Sequence, residues 1–193
     1  VFSLPPSSTG REDRSTKPNA LIGIACVELS TGRFEAGVYP RSRLLDELER
    51  LEPSEILLRD DDVLFSKEEG DRWSLSRRPA WQFGIEEATR ILTEHFQVLD
   101  LSGMGWEPND SAAISAAGAA LAYLQETQKV SLSHIRQLIP TRAGNSLEID
   151  AATRRSLELT QTIRGGNREG SLLEVLDQTV TAMGSRRLFD WLA

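Results

Sequence analysis

Three patterns of apolar and polar positions run along the chain, and each predicts a different kind of element. Leu21 to Val27, followed by Leu29, is apolar at almost every position, as a strand covered on both faces would be. Phe34, Ala36 and Val38 alternate with wetter neighbours and predict a second strand. Ser30, Thr31, Gly32 and Arg33 supply the turn between the two, and Pro40 ends the second. Glu55 to Leu58 predicts a short third strand, after which Asp60, Asp61 and Asp62 turn the chain out to solvent. Between Val63 and Pro79, Phe65 and Trp73 flank a charged loop that reads as a hairpin or an edge strand. Trp81 and Phe83 alternate in a strand-like way, and Val98 to Leu101 predicts a further strand, broken by Gly103 and Gly105.

The second pattern has the helical period. Leu44, Leu45, Leu48 and Leu51 predict a helix that Pro53 stops. Ile85, Ala88, Ile91, Leu92 and Phe96 share the inward face of another, from about Ile85 to Phe96. A long helix runs from Asp110 to Lys129, with Ile114, Ala117, Gly118, Leu121 and Leu124 on one face. A glycine in mid-helix costs ~1 kcal/mol against alanine, so Gly118 among alanines predicts close packing on a sheet. Ser131 to Gly144 leads onward through short helical or extended pieces, and Leu147 and Ile149 precede the last segment.

The third pattern is helix punctuation, dense in the last fifth of the chain. Asp150 is a helix N-cap, Ala152, Ser156, Leu159 and Ile163 form one stripe, and Gly165 with Gly166 ends the helix they predict. Ser171 to Glu174 is a capping box opening a second short helix. Thr181 caps a third, whose apolar face is Gly184, Leu188, Trp191 and Leu192. That face reaches Ala193 without a partner in sequence, the mark of a piece cut from a larger protein.

The same residues carry a resemblance. Asp150 to Thr160 (DAATRRSLELT), Arg164 to Gly166, Gly170 to Asp177 (GSLLEVLD) and Thr179 to Arg187 (TVTAMGSRR) resemble, in that order, the start of the core or lever domain of the MutS family. MutS proteins recognise mismatches in DNA repair. The likeness extends upstream through Leu101 to Gly105 and the helix ending Gln125 to Lys129. One departure is Ser156, where the family usually has Asn.

The order strand, strand, helix, strand, helix, strand, helix predicts an α/β fold with a hairpin at its start. It looks like the ribonuclease-H-like connector domain of MutS, built on a central mixed sheet and followed by an α-helical segment of the core domain. On this reading residues 1–19 are a linker or disordered end, being polar and rich in Pro, Ser and Gly without apolar period. Residues 20–129 are the connector, and 130–193 the truncated N-terminal part of the helical core.

Composition narrows the chemistry. A net charge of −7 over 193 residues argues against a grip on phosphate backbone, which needs a clustered basic face. The pairs Arg77–Arg78, Arg154–Arg155 and Arg186–Arg187 are spread out and read as solvated faces or local ion pairs. The single cysteine, Cys26, excludes a disulfide framework and reads as a buried, inert thiol. No apolar run nears the ~20 residues that span a membrane, and no secretory signal appears, so a cytoplasmic protein without a membrane partner is expected.

A ribonuclease-H-like topology raises two-metal nuclease chemistry, for which carboxylates must converge on two ions. Glu28 and Glu35 lie on neighbouring strands, but Ala25 and Cys26 occupy the centre of the first strand, where active members resemble one another in an acid. His95 and His134 lack metal spacing and read as surface or interface histidines. There is no Gly-Lys-Ser/Thr phosphate loop, and Trp73, Trp81, Trp106 and Trp191 lack interleaved basic residues, so core packing is expected of them.

An interaction role remains. The resemblance implies a connector linking mismatch sensing to an ATPase, with a docking surface for a MutL homologue around the helix Glu86 to Phe96. Its outward residues Thr89, Arg90 and Glu94 are the candidate partner-binding residues. No catalytic, cofactor or metal residue is assigned in this chain. ATP and Mg, mismatched DNA and a second MutS subunit are implied for the full-length protein. The alternatives are a divergent ribonuclease-H-like metal-dependent nuclease and a stand-alone adaptor domain.

Overall fold

The computed structural model describes residues 2–3, 20–128, 131–142, 149 and 151–192. Its centre is the hairpin of β2 (Leu21–Glu28) and β3 (Arg33–Pro40), antiparallel over their full lengths, with Ala25 opposite Ala36 and Val27 opposite Phe34. The two-residue strand β1 (Phe2–Ser3) adds to the far edge of β2. The expected linker over 1–19 therefore includes two residues that are paired as strand, and 4–19 lie outside the described residues. On the other side, β6 (Ile139–Thr141) runs parallel to β3, so the sheet order is β1-β2-β3-β6 and its character is mixed. A second, two-stranded parallel sheet joins β4 (Ile56–Arg59) to β5 (Leu75–Arg78).

The helix α4 (Ser111–Thr127) lies across β2 and β3, and α3 (Ile85–Phe96) packs against α4 in turn. Every residue of α4 from Ala112 to Leu121 is buried, which alanine suits by favouring helix and by adding little bulk. Two glycines permit the close approaches. A Cβ on Gly23 would fall 2.0 Å from the carbonyl oxygen of Ala112, and one on Gly118 would fall 2.3 Å from Ala88 of α3. Gly118 thus marks a helix–helix crossing, where packing on a sheet was expected. Phe34, Ala36, Ala88, Leu92, Trp106 and Ile114 meet in the core that these layers enclose.

Several sequence expectations fail in instructive ways. Val98 to Leu101 forms no strand: Gln97 caps α3 in the left-handed region, the Val98 amide donates to Thr93, and a 3-10 turn over Ser102–Met104 follows. Val98 is half-buried and Leu101 buried, while Leu99 between them is fully exposed, a spacing of three that no strand gives. Trp81 and Phe83 sit on a 3-10 turn, Ala80–Phe83, which buries Phe83 and leaves Trp81 exposed. Within Val63 to Pro79 lie the single-turn helix α2 (Lys67–Gly70) and β5, which pairs in parallel with β4 alone, so the edge strand expected there is present and the hairpin is not.

Two compact units divide the chain, Val1–Leu44 with Pro53–Ala143, and Leu45–Glu52 with Gly144–Ala193. The second holds most of α1 (Leu44–Leu51), together with α5 (Ala151–Ser156), α6 (Leu172–Leu176) and α7 (Ala182–Leu192). The helix expected to run to Gly165 stops at Ser156, and Glu158 takes a left-handed φ of 48°. Gly166 is left-handed as its type predicts, but it closes a turn in which its amide donates to Thr162. The expected cap Asp150 lies outside the described residues. Ser171 does accept from the Glu174 amide, while Glu174 reaches back one residue further than a capping box requires, to Gly170. Thr181 accepts from the Gly184 amide at 3.1 Å and so caps α7.

Candidate functional site

The helix α3 presents the candidate residues. Glu86 and Glu87 occupy its first turn, where carboxylates suit the positive end of the dipole. Ala88 and Leu92 are fully buried, and Ile85, Ile91 and Phe96 pack on the same core, so the opposite side is free to carry polar groups. There Arg90 bridges Glu87, at 2.6 Å, and Glu94, at 3.0 Å. The guanidinium beside Glu87 holds that carboxyl below its ordinary pKa, and the Glu87 hydrogen bond raises that of Arg90 in return. Thr89 turns its hydroxyl back to donate to the Ile85 carbonyl at 2.8 Å.

Arg90 and Glu94 are therefore brought together one helical turn apart, while Thr89 lies half-buried beside them with its donor already engaged. Glu87 belongs to the same ion-pair ladder and was missed, although its three-residue spacing from Arg90 is a readable signal. Such a surface can recognise a partner through exchanged ion pairs and hydrogen bonds, and nothing in it activates a nucleophile.

Other candidates resolve into local roles. Glu28 accepts from the hydroxyls of Ser30 and Thr31, at 2.7 and 2.9 Å, and Glu35 pairs with Arg33. Among the described residues, no three of His, Cys, Asp and Glu gather so as to hold a metal ion. The aspartate run does not all face solvent as expected. Asp62 is buried, and burial lifts its carboxyl to about 6 against the opposing pull of Arg59, whose Nε stands 3.9 Å away. Arg77 secures the same loop by donating to the carbonyls of Arg59, Asp60 and Asp62.

Both histidines bond to backbone carbonyls far away in sequence. The His95 ring meets the Ile135 carbonyl, and the His134 ring that of Leu29, each at 2.9 Å. Of the tryptophans, Trp106 is in the core with its indole donating to Leu138, but Trp81 and Trp191 are 68% and 72% exposed, contrary to the expected packing. Arg187 lies over the Trp191 ring at 5.7 Å. Cys26 is half-buried rather than sealed in the core. No helix of the described residues is long and apolar enough to cross a membrane.

Against known proteins, residues 12–136 match the family model of MutS domain II and residues 152–193 that of MutS domain III. The chain is 52% identical over 173 residues to the DNA mismatch repair protein MutS of Rhodopirellula baltica, covering 90% of this chain and 19% of that protein. Against the MutS of Symbiobacterium thermophilum it is 44% identical over 179 residues, covering 89% of this chain and 20% of that protein. The chain thus spans about a fifth of the length of these curated relatives. With a domain model matched over more than half of its residues, and a second matched in the same order, this chain belongs to the MutS family.

Proposed function

We propose that this chain is the connector of a MutS-type mismatch repair protein, joined to the first helices of its core domain, and that it serves as a non-catalytic relay. What carries the reading is the ordered match to domains II and III. The limits 20–129 for the connector and 130–193 for the core segment belong to the same proposal. So does a ribonuclease-H-like arrangement, supported by the antiparallel β2–β3 hairpin at the sheet centre and by α4 packed across it.

In the longer protein, ATP with magnesium, mismatched DNA and a second subunit engage other parts, and the outer face of α3 docks a MutL homologue through Thr89, Arg90 and Glu94. The chain works in the cytoplasm. The Arg90 ladder supports docking there, because exposed ion pairs are weak and exchange partners readily. Calorimetric titration of the chain with a MutL homologue tests it. Arg90→Glu should weaken binding at least fivefold at low salt while leaving the circular dichroism spectrum unchanged. Equal affinity for both proteins would remove α3 as the docking face.

A further inference from the structure

The helix α3 is tied to the segment by which the chain leaves the first unit. After α4 the chain runs from Ser131 to Leu138 without regular structure and enters β6, beyond which it continues to the second unit. This segment is held by side chains: Leu132, Ile135 and Leu138 are buried in the core that Leu92 and Trp106 also line. Its carbonyls are reached by two rings, the His95 imidazole bonding Ile135 at 2.9 Å and the Trp106 indole bonding Leu138 at 3.3 Å.

His95 stands next to Glu94 in the last turn of α3 and is set edge-on against Phe96, with ring centroids 4.8 Å apart. A polar cavity of about 310 Å³, lined by His95, Gln125, Gln128, Ser131, Leu132 and Ser133, opens beside it. The His95 ring therefore both bonds the Ile135 carbonyl and lines this cavity. The ring is thus a polar link between helix and segment, added to the apolar core that Leu92 shares with Leu132, Ile135 and Leu138.

We propose that His95 is a positioning residue that latches α3 to the Ser131–Leu138 segment, so that a protein docking on the outer face of α3 tightens the chain leading to the second unit. The coupling rests on the docking reading above, whereas the latch itself stands without it. Hydrogen exchange of the peptides covering 131–141 tests both, in the wild-type chain, in His95→Phe, which fills the space without the hydrogen bond, and in His95→Gln, whose amide can still reach the carbonyl.

Without a partner, exchange in 131–141 should quicken about fivefold or more in His95→Phe and less than twofold in His95→Gln, with β2, β3 and α4 unaltered. His95→Asn, too short to span the gap, replaces the Phe variant should that one misfold. Unchanged exchange in the Phe or Asn variant overturns the latch. With a MutL homologue added, exchange in 131–141 should slow in the wild type and not in His95→Phe, and His95→Phe should bind more weakly by a factor no larger than that slowing. Binding that slows neither protein, or both equally, overturns the coupling alone. A wild type that binds nothing overturns the docking face and the coupling together, leaving the latch to the first measurement.

Discussion

At the scale of single residues, burial decides chemistry that residue type leaves open. Asp60, Asp61 and Asp62 are chemically equivalent, yet only Asp62 loses its water. Asp61 is hydrogen-bonded by Arg59 and its pKa falls, whereas desolvation dominates at Asp62 and lifts it to about 6. The sign for stability follows from a folded value above the unfolded 3.8. The contribution of Asp62 is complete below that value and is lost as pH rises through about 6. Asp62→Asn should therefore raise stability at pH 7.5 by on the order of 1–3 kcal/mol and change little at pH 4. Urea denaturation at both pH values measures this, and a variant weaker at pH 7.5 than the wild type would show that Arg59 outweighs desolvation.

At the scale of elements, small residues set how closely layers pack. Gly118 in an isolated helix would be a defect, worth ~1 kcal/mol on replacement by alanine. Here the added methyl would meet the Cα and Cβ of Ala88, which cannot swing aside. Overpacking of this kind costs about 1–3 kcal/mol, so Gly118→Ala should destabilise despite the better propensity. Adding Ala88→Gly should restore part of the loss. A higher melting temperature for Gly118→Ala would mean that α3 and α4 slide apart at little cost.

The long helices and the β2–β3 hairpin were legible because their apolar periods run over many residues and their turns are made locally. Val98 to Leu101 was misread because four residues are too few to distinguish a period of two from a spacing of three. β6 carries no apolar pattern of its own and exists only because β3 offers it an edge. The early end of α5 is a backbone event at Glu158, a residue type that does not announce a left-handed conformation. Of the candidate site, Arg90 and Glu94 were legible as outward residues of a helix whose apolar period fixes its inner face. The His95 link to Ile135 spans 40 positions, and no local rule reaches that far.

For the whole molecule, charge bounds the partners. At −7, with its arginines engaged locally at Arg77, Arg78 and Arg90, the chain has little to offer a phosphate backbone. Fluorescence anisotropy with a short mismatched duplex should detect at most weak binding, abolished between 50 and 200 mM salt, on the order of the shift expected for few phosphate contacts. Tight, salt-resistant binding would contradict the relay role and assign a DNA contact to this part of the protein.

The sequence by itself determined the family, the principal helices, the central hairpin and the absence of a phosphate-loop motif, because each is written in the order, spacing or type of neighbouring residues. Tertiary structure alone decided which aspartate is buried, which tryptophan reaches the core, where β6 pairs and what the histidines hold. Those outcomes depend on groups far apart along the chain meeting in space, where desolvation and hydrogen bonding act on position rather than on residue type.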